Sequence, residues 1–579
     1  LVSYKLERHG VDYLMPDDIF TKNDYYNLHK KTDCFEKSWY ANSENIDYSF
    51  FNGVSFGDVT SGMPSRSFFA VIIVYYTQLL NKVKNKYSNV SVIFHDLYNE
   101  ANYFSFPDSD YLKFFQKREL FESSARQLLL SICYLHPKDP IPSAHLTNKK
   151  SNVNYLKVAA KKIVYFAVNT LGIIKRNKER SSRVFIPLYS NQKSFASLNL
   201  DNTIVENIPL SFFIKDPSLF LSGILVKSID NIDTFKDADI GFNLFIKKMK
   251  KNVLSLEAEE GFSYKGIDYR YLYMPILKEI VDTVIPSLYL ESVKMRRYIK
   301  KNNITKLVVN NANTERNKLL IVSAHIERIK TFFVDHGIQG HVHAKKVHDR
   351  MQISSYITPG SFKNYNIDSE TVSLGNPCLD PYTSSISMET YKIKSILFLT
   401  FEDNFYARVD RFIEQERYFY IIFNAAKILK NQGYSLYFRT HSENIDYIEY
   451  IFKYFEVNDI FEMAQSDSFE NIITDYDLLV SNVSTCFYES MAAGVPVVFV
   501  EPKLIKGSLN PPFIGREWDE VIRADTSDKI IEIINSPMRI KNYMNRFNDI
   551  HADKYLGKVD RNSAARIMDH INSAPNNST

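Results

Sequence analysis

Residues 478–500 read LLVSNVSTCFYESMAAGVPVVFV, and this stretch decides the fold. Leu478–Val480 is an apolar run of strand length. A polar turn follows, then a helical segment through Glu489, then Gly494 and a second apolar run, Pro496–Val500. A strand, helix and strand joined this closely need a right-handed crossover and belong in a parallel sheet. Ser484-Thr485 falls where the free N–H groups at a helix start and the helix dipole face an anion. Glu489, about one helical turn further on, can reach a hydroxyl beside that anion. This is the layout of a nucleotide-diphosphate or nucleotide-monophosphate site. An ordinary βαβ unit with a Ser/Thr N-cap has the same pattern.

Working outward, the residues upstream repeat the alternation. SILFLT (Ser395–Thr400) reads as a strand, Asp410–Asn431 as a long helix, SLYFRTH (Ser435–His441) as a strand and Ile445–Phe455 as a helix. VSLGNPCLDPY (Val372–Tyr382) and the Ser/Thr-rich residues after it read as a boundary. Before it come VFIPLY (Val184–Tyr189), a helix over Tyr273–Asn302, the strand Leu307–Asn311, a helix over Asn317–Lys330 and TFFVDHGIQG (Thr331–Gly340). The expected fold class is α/β, with two Rossmann-like doubly wound domains facing a cleft and N-terminal elaborations. The expected division is 1–388, an N-terminal acceptor-binding domain; 389–560, a C-terminal nucleotide-sugar-binding domain; and 561–579, a terminal helix with a disordered tail.

The composition narrows the function classes. A chain of 579 residues exceeds one core. A net charge of +4 is small for this length and carries no nucleic-acid signature. Cys34, Cys133, Cys378 and Cys486 lie far apart, which excludes a CxxC zinc site or a disulfide framework and fits a reducing cytoplasm. Polar residues begin within the first few positions, so no signal peptide is expected, and no apolar run reaches the ~20 residues that span a bilayer. Residues 146–183 are the exception in charge: ten Lys and Arg with one acid, Glu179, around VAAKKIVYFAVNTLGII. That pattern suits a peripheral contact on the inner face of the cytoplasmic membrane, or a packed helix with a solvated basic loop.

Chemistry-bearing residues fall at the predicted strand ends. His336 and Gly337 follow TFFV; a histidine there can meet a phosphate or act as acid or base, and Gly337 lets the backbone turn tightly. Glu402 and Asp403 end SILFLTF, where a carboxylate can serve as base or nucleophile, or cap the next helix. Arg439 and His441 end SLYFRTH and suit a phosphate. No Walker loop and no GxGxxG pattern occur. GVSFG (Gly53–Gly57) matches GxSxG, but that motif needs a helix directly after Ser55, and DVTSGMPS intervenes. Asp-x-Asp occurs at Asp108/Asp110, Asp237/Asp239 and Asp475/Asp477 without following a suitable strand. The sequence demands no metal and no cofactor.

In this order the pieces NGVSFGD, FFVDHGIQG, SLGNPCLDP, ILFLTFEDN, YFRTHSEN, the opening stretch and HADKYLGKVDRNSAARI resemble bacterial GT-B glycosyltransferases of surface polysaccharides (capsule and lipopolysaccharide), best over about 300–570. The C-terminal half is also similar to UDP-GlcNAc epimerases. The resemblance implies donor binding by His441, Ser484, Thr485 and Glu489, and His336 near donor or acceptor. Asp403 or Glu402 is the nearest match to a reacting carboxylate. It is similar to transferases of CMP-linked Kdo or sialic acid, except that the family's His-Pro pair reads His441-Ser442. UDP-, GDP- and CDP-linked donors remain open. The implied activity is sugar transfer from a nucleotide donor to a glycan or lipid-linked glycan. The alternatives are a sugar-nucleotide epimerase and a non-catalytic scaffold of a polysaccharide-assembly complex.

Overall fold

The computed structural model describes most of residues 19–60, scattered helical residues between 74 and 86, and, with interruptions, residues 183–334, 353–440 and 451–575. The chain opens with helix α1 (Lys22–Ser38), the hairpin strands β1 (Phe50–Phe51) and β2 (Val54–Ser55), and the short helix α2 (Phe56–Thr60). Strands β3 (Arg183–Pro187), β4 (Thr203–Glu206) and β5 (Leu225–Val226) begin the first large sheet. Helix α3 (Ile240–Ala258), a second hairpin of β6 (Ser263–Tyr264) and β7 (Ile267–Asp268), and helices α4 (Arg270–Glu279) and α5 (Ile285–Lys301) follow. The sheet resumes with β8 (Ile304–Val309), helix α6 (Glu315–Ile326), β9 (Lys330–Val334), β10 (Ser355–Thr358) and β11 (Glu370–Ser373).

The second sheet holds β12 (Ser395–Leu399), then, after helix α7 (Asp410–Asn431), β13 (Ser435–Arg439) and β14 (Glu462–Met463). Helix α8 (Phe469–Ile472) leads to β15 (Leu478–Ser481), helix α9 (Cys486–Ala492), β16 (Val497–Val500) and β17 (Arg523–Ala524). Helices α10 (Ser527–Ile534), α11 (Pro537–Arg546), α12 (Ala552–Tyr555) and α13 (Ser563–Ser573) end the chain.

The first sheet runs β11-β10-β9-β8-β3-β4-β5 and the second β14-β13-β12-β15-β16-β17, with every pair parallel. Renumbered from their first strands, both have the doubly wound order 3-2-1-4-5-6, and the first carries one further strand. This is the two-sheet α/β fold expected from the sequence. In the opening stretch, β15 and β16 pair in parallel and both are buried throughout, as strands covered on both faces must be.

Two elements differ from the sequence reading. The helix expected over Tyr273–Asn302 is broken by a π turn, Ile280–Val284, where the Ile285 N–H reaches back to Ile280 O. Pro286, one residue further on, has no N–H to continue the α ladder, and the wider turn accommodates it. The helix expected to run to Lys330 stops at Ile326, because Arg328 takes a left-handed φ of 57° that reverses the chain into β9.

Each sheet has its own core. Phe185, Leu307, Phe333 and Tyr356 turn one face of the first sheet into a core shared with α3–α6. The alternate residues Val184, Val308, Phe332 and Ile357 are equally buried but lie outside that core. Their face is closed by α13, which follows the second sheet in sequence. The Phe332 ring meets the His570 ring edge-on at 6.0 Å, and Ser355 Oγ lies 3.2 Å from His570 Nε2. Lys306, buried in β8, donates to Ile571 O at 2.6 Å and to Asn572 O at 2.9 Å. These are carbonyls of the last turn, which a cation satisfies well.

Candidate functional site

In an open doubly wound sheet, ligands bind outside the carboxyl ends of the strands where the order reverses. In the second sheet that point lies between β12 and β15, since β13 continues to one side and β16 to the other. The carboxyl ends there are Leu399 and Ser481, flanked by Arg439 and Val500. Expected site residues follow three of these ends in sequence: Glu402 and Asp403 after Leu399, His441 after Arg439, and Ser484 and Thr485 after Ser481.

The end of β12 is held from below. Tyr418, on α7, is fully buried and its hydroxyl donates to Leu399 O in a short hydrogen bond. Burial pushes the Tyr418 hydroxyl far above its usual pKa, so it remains a donor. The end of β15 is polar and sealed: Ser481 and Asn482 are buried, and Ser481 Oγ donates to Asn482 O at 3.1 Å. Thr440, directly after β13, is buried as well. The sequence reading did not single out Tyr418, Thr440 or Asn482. The last two carry a legible signal, a polar residue directly behind an apolar strand.

Two expected site residues lie among the described ones. Glu489 is half-buried on the first turn of α9, the position its spacing implied. Arg439 is half-buried at the end of β13, and its Nη1 donates to Ala464 O at 2.8 Å. Its charge also acts on Tyr476, whose hydroxyl pKa is raised by burial and by Tyr437, Asp475 and Glu462 against the opposing pull of Arg439. Arg439 thus has one nitrogen engaged with the backbone behind β14. Glu402, Asp403, His336, Gly337, His441, Ser484 and Thr485 lie outside the described residues, as does the basic segment 146–182.

Two other motifs are placed by the structure. The expected gap after Ser55 is absent: α2 starts at Phe56, directly behind it. Ser55 Oγ accepts from Asp58 N at 3.1 Å, so the hydroxyl caps that helix. The hairpin before it turns on Asn52-Gly53, both at positive φ (49° and 85°), as a two-residue turn matched to strand twist requires. Asp477 of the last Asp-x-Asp pair accepts from Lys394 N at 2.8 Å, Ser395 N at 2.9 Å and Ser395 Oγ at 2.9 Å. It ties the amino ends of β12 and β15 together, at the edge opposite the candidate site. Among the described residues, no group of three His, Cys, Asp or Glu is placed to share a metal ion, and no helix is long and apolar enough to cross a membrane.

No protein-family model matches the chain, and no curated protein sequence matches it. Among solved structures it is similar to Staphylococcus aureus MnaA solved with UDP, at 12% identity and a TM-score of 0.41 over 68% of this chain and 96% of that one. It is similar to UDP-GlcNAc 2-epimerase from Neisseria meningitidis bound to UDP-GlcNAc, at 11% identity and a TM-score of 0.38 over 67% and 98%. It is also similar to Acinetobacter baumannii MurG, at 11% identity and a TM-score of 0.37 over 68% and 100%. At these values the fold assignment stands on the order and direction of the strands in the two sheets.

Proposed function

We propose that the protein is a glycosyltransferase that moves a sugar from a nucleotide-activated donor, of the CMP-linked Kdo or sialic acid-like class, to a growing surface polysaccharide or glycolipid. The observation that carries this reading is the reversal point of the second sheet. There β13 and β15 lead into the buried polar residues Thr440 and Asn482, and α9 carries Glu489 on its first turn; ligands of this topology bind outside such strand ends, which supports the reading. In this reading Ser484 and Thr485 hold the phosphate, with His441 and Arg439 beside them and Glu489 on the ribose. Asp403, or Glu402 next to it, takes the proton from the acceptor hydroxyl. His336 and Gly337, which follow β9 in sequence, serve the donor or the acceptor, and the N-terminal domain holds the acceptor. Positive side chains and N–H groups offset the charge on the departing phosphate.

The test is calorimetry with CMP, CDP, UDP and GDP, followed by transfer assays. A Ser484→Ala/Thr485→Ala chain is expected to lose nucleotide affinity by about tenfold or more. Asp403→Ala is expected to abolish transfer while nucleotide affinity stays within about twofold. Unchanged affinity in the first variant would refute the nucleotide site. Conversion of the donor sugar without any acceptor would identify an epimerase, and binding of none of the four nucleotides a scaffold.

A further inference from the structure

Helix α3 has two distinct sides. Phe242, Met249 and Val253 are buried in the first core. The Phe242 ring stacks on Tyr289 at 4.0 Å, and Phe51 of the β1–β2 hairpin stacks on Phe245 at 5.0 Å. The other side carries Leu244, Lys247, Lys248, Lys251 and Leu254, at the three- and four-residue spacing that aligns side chains along one helix face. Leu244 is 62% exposed and Leu254 54% exposed. The three lysines are exposed as well. Among the described residues none of them forms an ion pair; the pair that this helix makes there is Lys250, at the border of the face, with Asp282 at 2.7 Å.

Two exposed leucines about 15 Å apart, with three lysines between them that form no ion pair among the described residues, suit a partner that offers both negative charge and an apolar layer. Pairing of this face with the same face of a second copy would set lysines against lysines. An acidic protein surface would answer the lysines but would also have to supply an apolar contact matched to each leucine. An anionic bilayer answers both: apolar tips enter the acyl boundary while flexible lysine stems keep their charges among the headgroups. We propose that this face of α3 is a docking surface for an anionic lipid bilayer, separate from the basic segment 146–183 and independent of what the protein transfers.

The full chain should co-sediment with vesicles of phosphatidylcholine mixed with phosphatidylglycerol, more weakly at high salt, and not with phosphatidylcholine alone. Lys247→Gln/Lys248→Gln/Lys251→Gln should lower the partition coefficient on the order of 100-fold, since each headgroup-facing lysine contributes a factor of about five. Leu244→Ser/Leu254→Ser should lower it by about tenfold or more. All five side chains are exposed, and unchanged thermal unfolding confirms that the variants are folded. Equal binding to neutral vesicles overturns the proposal, as does unchanged binding in both variants. So does binding that is lost entirely in Lys157→Glu/Lys161→Glu/Lys162→Glu and untouched by the α3 changes. Self-association in light scattering that the lysine variant abolishes would assign the face to a second copy instead.

Discussion

Asp24 shows how a single carboxylate holds distant segments together. It accepts from Lys82 Nζ in a short bond, from Lys265 Nζ at 3.2 Å, and from Thr21 N and Oγ1 at 2.9 and 2.7 Å. Burial alone would raise its pKa; the two ammonium groups and Thr21 outweigh that and hold it well below the usual carboxylate range. The folded pKa is therefore lower than the unfolded value near 3.9. The unfolded chain binds more protons in acid, so this contribution is complete above about pH 4 and is lost as the pH falls toward the folded pKa. Asp24→Asn should cost roughly 1–3 kcal/mol at pH 7. It should also flatten the fall in stability below pH 4, as read by denaturant unfolding at a series of pH values. A variant as stable as the parent at pH 7 would show the cluster to be decorative. Gly57 makes a different residue-scale point: a Cβ there would lie 2.1 Å from Tyr40 Cγ, so the glycine exists for close packing.

At the scale of elements, β12 and α7 act as one unit at the candidate site. Leu399 O, at the carboxyl end of the central strand, has the Tyr418 hydroxyl as donor, and the segment bearing Glu402 and Asp403 leaves from that point. Tyr418→Phe leaves this carbonyl without that donor, at a cost of about 1–3 kcal/mol. It should speed amide exchange along β12 and, under the proposed function, weaken nucleotide binding severalfold. Unchanged exchange and unchanged affinity would show that the strand end is held by its sheet neighbours alone. The opening stretch was legible because continuous apolar runs and a helical interval have no other compact solution. Strands of two residues, β5, β14 and β17, were not legible, because their pairing is set by neighbours rather than by any pattern of their own.

At the scale of the whole molecule, the two sheets are joined where the chain passes between them. Asp380, just after β11, accepts from Ser563 Oγ at 2.7 Å and from Ser563 N at 3.1 Å, which caps α13. Arg566 Nε donates to Leu374 O at 2.9 Å, and its guanidinium also pairs with Asp560 at 2.7 Å. Gly360 has no room for a Cβ, which would lie 2.3 Å from Lys554 O. Lys306 completes the set beneath the last turn of α13. Lys306→Met should leave two carbonyls without their donor, lower stability by roughly 1–3 kcal/mol, and increase protease cleavage between 556 and 575 first. Added to Asp380→Asn and Arg566→Ala, it should split the calorimetric transition in two, one for each sheet. A single sharp transition in the triple variant would show that the sheets cohere by other contacts.

The sequence by itself determined that this is an α/β chain with parallel sheets and that its polar residues gather at strand ends, because strand and helix periodicities and the residue following each strand are local properties. It also implied the place of Glu489, one turn into a helix whose start was readable. Only the tertiary structure decided the strand orders, and with them the reversal point between β12 and β15. It turned Ser55 into a helix cap, set Asp477 at the amino edge, and engaged Arg439 with Ala464 O. It also laid the last helix over the first sheet through Lys306, 265 residues away from its acceptor Ile571 O. No local pattern encodes such a contact, because its energy exists only once both sheets are built and one open apolar face remains to be covered.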